Sequence, residues 1–407
     1  MRALIFMTTL VLAACSGAES NGQAQQSAQG APVSQAAPNA NFQPAFAAQT
    51  RAPEARTDVA IAVEEVASGL TEPWAVEVMP DGRVLVTEKP GRLRIVTRDG
   101  MVSAPIAGLP EVDARGQGGL LDVALSPAFA SDLLIYWSYS EARGDGANGT
   151  SVARGQLSAD SSRVENVQVI FRQLPAWRSN GHFGSRLVFD REGRLYVTLG
   201  DRQQSAPREL AQDTSTHIGK IVRINADGSV PADNPFANRA GVRPEIWSYG
   251  HRNIQGAALH PETGALWEIE HGPRGGDEIN IAQAGRNYGW PGISYGLEYN
   301  GGAINEGIAV REGMEQPLYY WDPVIAPGGM LFYRGDLFPW RGDLLISGLI
   351  AQAIVRLDLD GERVVGEEHL LARQEGRVRD IAEDSEGALW IVTDEDNGRL
   401  LRLTPQR

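Results

Sequence analysis

The sequence predicts an all-β fold, a six-bladed β-propeller of four-stranded antiparallel blades. Three observations carry that prediction. A hairpin of two short apolar strands around an Asp/Glu-Gly turn, or its equivalent, recurs six times along the chain. Glycine is abundant, at 46 of 407 residues, which suits a chain of many tight turns. No long run of 3.6-residue apolar periodicity competes with the strands.

The first element is a leader. Residues 1–14 carry one early charge, Arg2, and an apolar stretch too short to span a bilayer. Leu12-Ala13-Ala14-Cys15 resembles a bacterial lipoprotein cleavage box. The chain's single cysteine, Cys15, then becomes the lipid-bearing first residue of the mature protein. Ser16 after it suggests sorting to the outer membrane, with the protein on the periplasmic side. An ordinary secretory signal cut nearby is the alternative. Residues 15–57 are rich in Ala, Gln, Pro, Ser and Gly without periodicity, so a flexible tether is expected there. The propeller domain is expected to occupy 58–407.

The hairpins follow in order. Trp74 to Thr87 turns at Pro80-Asp81-Gly82. Leu121–Ser126 pairs with Leu133–Tyr136, and Arg186–Asp190 with Gly193–Thr198. Gly256–His260 pairs with Gly264–Trp267, Gly329–Tyr333 with Gly342–Ser347, and Arg379–Asp384 with Gly387–Thr393. Further strands, such as Leu93–Val96 and Leu400–Leu403, complete four per blade. Val59–Val66 joins the last blade and closes the ring. A β-sandwich would account for the strands but not for six related hairpins. The spacing widens mid-chain, and the extra residues there are loops that line one mouth of the ring.

Composition narrows the chemistry. A formal net charge of -14 disfavours a nucleic-acid partner and leaves cations such as calcium open. One cysteine excludes an internal disulfide framework, a Cys-built zinc site and an iron–sulfur cluster. The six histidines show neither H-x-H nor H-E-x-x-H spacing. There is no P-loop, no G-x-G-x-x-G opening a helix, and no G-x-S-x-G around Ser185.

Three segments in the widened blades carry concentrated polar chemistry. In Asn180-Gly181-His182-Phe183-Gly184, glycines let the backbone bring an imidazole close to a ligand, and His is the usual base near neutral pH. A structural histidine bonded to a neighbouring loop is the other reading of this segment. In Gly250-His251-Arg252-Asn253, Arg252 can neutralise an anion, against the alternative of an exposed turn. In His271-Gly272-Pro273 to Asp277-Glu278, free carbonyls beside carboxylates suit calcium, against the alternative of a solvated acidic turn.

With these segments the chain resembles the soluble pyrroloquinoline quinone (PQQ)-dependent glucose and aldose sugar dehydrogenases, from about Gly69 to Leu403. The matching pieces include Gly116-Gln117-Gly118-Gly119-Leu120-Leu121, His182 ahead of Arg186-Leu187-Val188-Phe189, and Gly219-Lys220-Ile221-Val222-Arg223-Ile224. Gly250-His251-Arg252-Asn253, Gly272-Pro273 with Asp277-Glu278, and Asn287-Tyr288-Gly289-Trp290-Pro291 continue it. The resemblance implies the same six-bladed fold and oxidation of an aldose at its anomeric carbon. It implies His182 as general base and Arg252 beside the reactive carbonyl of the quinone. Gln117, Asn253, Arg377 and Arg379 match quinone-contacting positions, as do Tyr299 and Ile350-Ala351-Gln352 in the aldose branch. The carbonyls of Gly272 and Pro273 match a catalytic calcium site, and Glu278 with Tyr288 a structural one. The resemblance leaves the electron acceptor open.

Two departures place the chain nearer the aldose branch. Gly181 stands where the glucose branch has Asp before its catalytic His, and Ile350 aligns with a Lys of that branch. Two other functions remain open at this stage. A calcium-dependent propeller lactonase would need acidic and Asn ligands around the axis, and no trio of Arg252, Arg377 and Arg379. A non-catalytic binding propeller would need none of this constellation.

Overall fold

The computed structural model describes residues 30–406; the leader, Cys15 and the expected tether up to residue 29 lie outside the described residues. Six antiparallel sheets succeed one another along the chain. Blade 1 holds Pro73–Val78, Val84–Glu88 and Arg92–Val96. Blade 2 runs from Leu120–Leu125 to Val164–Arg172, and blade 3 from Leu187–Phe189 to Ile246–Tyr249. Blade 4 runs from Ile254–Leu259 to Tyr319–Trp321, and blade 5 from Pro327–Phe332 to Arg363–Leu370. Blade 6 opens with Val378–Glu383 and Leu389–Thr393. Its third strand, Gly398–Pro405, pairs antiparallel with Ile61–Leu70, so the two ends of the domain share one sheet and the ring closes. All six hairpins expected from the sequence form the first two strands of their blades.

Five blades have four strands, and blade 1 has three. Its fourth position is an irregular edge. Val102 bridges Val96, and the N–H groups of Ser103 and Ile106 donate to Ile95 and Leu93 at 2.9 Å each. Pro105 has no N–H to offer a ladder, which breaks the run.

The flexible tether expected to reach residue 57 is corrected over its last part. The Asn39 side chain donates to Asp322 Oδ1 at 2.7 Å, and the fully buried Gln49 donates to the Pro317 carbonyl at 2.8 Å. Ala52 N–H donates to the Tyr319 hydroxyl at 2.8 Å. Composition misses this segment because most of its hold is polar and main-chain, with Phe42 against Tyr295 and the buried Ala52 as its few apolar contacts. It lies along Tyr319–Trp321 and covers that outer strand, which would otherwise be a bare edge.

The core sits between blades. One apolar layer joins blades 1 and 2 around Trp74 and Trp137, and another joins blades 4 and 5 around Trp267 and Phe332. Blades 6 and 1 meet through Trp390, Val76 and Val84. At the axis the layers give way to charge. Arg186 Nη1 donates to Asp122 Oδ1 at 2.8 Å, and its Nη2 lies 3.1 Å from Asp380 Oδ1. Asp122 also accepts Leu187 N–H at 2.7 Å, and Asp380 accepts Val76 N–H at 2.9 Å. Burial raises the pKa of nearby Glu77 to about 8, helped by both aspartates. One guanidinium thus ties blades 1, 2, 3 and 6.

Arg186→Met should lower the unfolding free energy by roughly 3 kcal/mol at neutral pH, the cost of leaving buried charge unpaired. Burial already raises the Asp122 pKa to about 7 and Arg186 opposes that rise, so without the cation the deficit should shrink as the pH falls and Asp122 protonates. Denaturant unfolding at pH 5 and pH 7 measures both effects.

Candidate active site

Antiparallel pairing decides where chemistry gathers. In every blade the first strand starts, and the second ends, at the same end of the ring. Loops at those points converge on a cavity of about 440 Å³. Gln117 comes from the loop before blade 2 and Asn253 from the loop before blade 4. Ile350 follows the second strand of blade 5, and Arg377 and Arg379 open blade 6. All five line the cavity.

His182 lies in the loop before blade 3 and is only 3% exposed. Its main-chain N–H donates to Gln117 Oε1 at 2.8 Å. Its ring Nδ1 lies 2.6 Å from Asp201 Oδ1. Burial pushes the imidazole pKa below its ordinary value, Asp201 opposes that, and Arg252 adds to it. The ring is therefore neutral near pH 7. The carboxylate assigns the proton to Nδ1 and leaves Nε2 as the acceptor. Burial raises the Asp201 pKa, yet His182, Arg252 and hydrogen bonds together hold it below the usual carboxylate value. Asp201 Oδ2 accepts the indole N–H of Trp290 at 2.8 Å.

Arg252 is not on an exposed turn. It is 5% exposed, with its guanidinium carbon 5.3 Å from the Trp290 ring centre. Its Nη1 donates to the carbonyls of His271 and Gly272 at 2.7 and 2.8 Å, and its Nη2 to Tyr299 Oη at 3.1 Å. Its Nε is buried without a partner among the described residues. On the cavity rim, Arg377 and Arg379 both pair with Asp394, at 2.9 and 3.2 Å. Tyr299 is 64% exposed and meets the site through Arg252. Ala351 packs on the core between blades 4 and 5, and Gln352 sits in a turn at φ +50°. Neither lines the cavity.

Gly272, Pro273, Glu278 and Tyr288 line one void of about 10 Å³, together with Arg252 and Glu270. That is room for about one water-sized body. A Cβ on Gly272 would lie 2.2 Å from the Gly276 carbonyl, so only glycine fits there. Asp277 Oδ1 holds the loop by accepting Gly272 N–H at 2.8 Å. The Tyr288 hydroxyl is taken up by Ile281 and Gln283, which leaves its main-chain carbonyl for a cation. The acidic turn is not solvated. Burial, then Glu270 and Glu268, push the Glu278 carboxyl well above its usual pKa. Both oxygens of the buried Glu268 lack partners among the described residues. His251 lies 3.3 Å from Glu270 and 3.5 Å from Glu268. Three crowded carboxylates beside loop carbonyls, of which Gly272's already accepts from Arg252, form an oxygen-rich donor set that fits calcium.

A family model described as Glucose / Sorbosone dehydrogenase matches residues 70–402. The chain belongs to this family of sugar oxidoreductases. It is 44% identical over 347 residues to aldose sugar dehydrogenase YliI of Escherichia coli, covering 84% of this chain and 93% of that one. It is 29% identical to quinoprotein glucose dehydrogenase B of Acinetobacter calcoaceticus, covering 81% of this chain and 84% of that one. The PQQ-bound aldose sugar dehydrogenase of Streptomyces coelicolor superimposes with a TM-score of 0.70 at 28% identity, over 86% of this chain and 99% of that one.

Within this member of the family, Asp201 and Asp394 are site residues that the motifs did not single out, and Trp290, inside the Asn287-to-Pro291 motif, is one to which they assigned no role. Asp201 was within reach of topology: it directly follows the second strand of the blade that His182 precedes. Asp394 follows the second strand of blade 6 in the same way, while the role of Trp290 stayed hidden because its partner Asp201 lies far away in sequence. One indole holds the carboxylate of the His–Asp pair and faces the neighbouring guanidinium. Trp290→Phe keeps the ring face and removes the N–H. The carboxylate charge then concentrates toward Nδ1, so the His182 pKa should rise. Titration of the imidazole by NMR checks this; an unmoved His182 resonance would refute the coupling.

Proposed function

We propose that the chain oxidises aldose sugars at the anomeric carbon to the lactone, using PQQ and calcium. The observation that carries this reading is the His182–Asp201 pair beside an arginine-rimmed cavity. The names of the relatives support a sugar substrate and a quinone. The residues also fit the group. Arg252, Arg377 and Arg379 suit a ligand bearing carboxylates, and Arg252 Nε is a buried donor still without a partner. Gln117, Asn253, Ile350, Arg377 and Arg379 would hold the quinone, with Tyr299 steadying Arg252. Gly272 and Pro273 would hold the catalytic calcium, and Glu278 and Tyr288 the structural one. When bound, the quinone supplies the two-electron acceptor and calcium a Lewis acid.

The chain's own residues do the rest. His182 Nε2 takes the proton of the anomeric hydroxyl, and Asp201 orients the ring and stabilises the imidazolium. Arg252 stands ready for negative charge that develops beside it, in a site where burial strengthens the interaction. Asn253 and Gln117 set the register between cavity and base, since Gln117 also grips the His182 main chain. Lipid on Cys15 would anchor the protein on the periplasmic side of the outer membrane.

His182→Ala should lower turnover about 10²–10⁴-fold, the usual worth of a general base, while leaving the fold intact. Dye-linked activity with added PQQ, calcium and an aldose measures it, and near-normal turnover would refute the assignment. The base must be neutral to act. Because its pKa lies below the ordinary value, kcat/KM should stay high until the pH drops below about 6.5. Asp201→Asn removes the group that raises that pKa, so the acid limb should move lower still while kcat falls.

Removing calcium should do two separable things. Activity should vanish, and the melting temperature of the quinone-free protein should fall. Glu278→Gln should reproduce mainly the second effect, and magnesium should substitute poorly for calcium. Full activity in calcium-stripped buffer would sink the catalytic role, and an unchanged melting temperature would remove the structural ion alone.

A further inference from the structure

The residue before the base is Gly181, and it is buried under a side chain. A Cβ at Gly181 would lie 1.8 Å from Gln203 Oε1, 2.9 Å from Gln203 Cδ and 3.1 Å from Gln203 Cβ. The Gln203 carboxamide therefore occupies the space that any larger residue at 181 would need. Its backbone is held there. Arg202 and Gln203 are both left-handed, at φ +66° and +59°, and Gln203 N–H donates to Asp201 Oδ1 at 2.8 Å. The Arg202 guanidinium, buried 3.8 Å from the Phe183 ring centre and donating to the Ser179 carbonyl at 2.9 Å, anchors the turn. Such backbone strain persists only where the surroundings impose it.

The two neighbouring glutamines are used differently. Gln204 is a tie: it accepts the Trp177 indole N–H at 3.1 Å and donates to the Arg178 carbonyl at 2.9 Å. The Gln203 side chain makes no hydrogen bond among the described residues and is exposed. An amide with an acceptor and two donors to spend thus stands over the residue adjoining the base.

We propose that Gln203 is a specificity-determining residue, its carboxamide recognising the sugar hydroxyl on the carbon next to the one oxidised. Gly181 is the space that admits it. The inference rests on the sugar-oxidising function proposed above. A site with a polar group placed for a substrate hydroxyl discriminates against the analogue that lacks it.

The test compares each aldose with its 2-deoxy analogue, in protein loaded with PQQ and calcium. Steady-state kinetics is paired with calorimetric titration of sugar binding. Wild type should prefer the parent sugar. Gln203→Ala and Gln203→Leu should each raise KM and weaken binding of the parent about tenfold, with a smaller change in kcat, and lose most of the preference. Leucine fills the same space without polar atoms, so it separates hydrogen bonding from volume. The acid limb of the pH profile and the melting temperature should stay put, since the His182–Asp201 bond is untouched. An active wild type whose preference survives in both variants overturns this inference alone. A wild type that neither binds nor oxidises any aldose overturns the proposed function, and this inference with it.

Discussion

Arg186 is the constraint on which the ring depends. Six blades wrapped about an axis bring their first strands together, and those strands cannot all present apolar side chains to a narrow centre that opens on water. The chain places one guanidinium there against Asp122 and Asp380. The carboxylates in turn accept main-chain N–H groups of blades 3 and 1. An ion pair so deep is costly to desolvate and adds little net stability, but a missing partner would be severe. It ties blades 1, 2, 3 and 6 to one point on the axis. The apolar layers between blades then set the distances.

The same floor underlies the site. Arg186 Nε donates to the Gln255 carbonyl at 2.9 Å, and the Gln255 side chain lines the cavity beside Asn253. The cavity is thus the open end of a charged axis. Its walls are loops whose ends are pinned by strands, which lets short segments carry strained or crowded backbone. Gly272 beneath the Gly276 carbonyl and Gly181 beneath Gln203 are both cases of close approach that a Cβ would forbid.

Charge in the site is handled in pairs with unequal shares. Asp201 is supported from three sides, by His182, Gln203 and Trp290. Asp394 is the one carboxylate paired with Arg377 and Arg379 among the described residues, with Gln255 Oε1 also accepting from Arg379 at 3.4 Å, so these two cations have capacity left for an anionic ligand. The acid cluster of Glu268, Glu270 and Glu278 has the opposite imbalance, with His251 as its neighbouring counter-charge. One region is made for an anion and the other for a cation, and Arg252 lies between them.

Local pattern was enough to determine the repeat. Alternating apolar strands around Gly turns declare a hairpin wherever they occur, so all six hairpins and the closing strand were legible from the residues. The glycine-flanked motifs also declared His182, Arg252 and the Gly272–Pro273 loop, because unusual polar density beside glycine is visible without a fold. Tertiary structure decided what pairs with what. Asp201 and Gln203 acquire meaning when the two loops of blade 3 meet at His182 and Gly181, and Trp290 only when blade 4 brings a distant loop within hydrogen-bond reach of Asp201. The segment from Asn39 to Ala52 looked like a tether because amide-to-backbone bonds leave no apolar signature. Periodicity records which face of a strand is buried; it holds no record of which loop a buried polar group will meet.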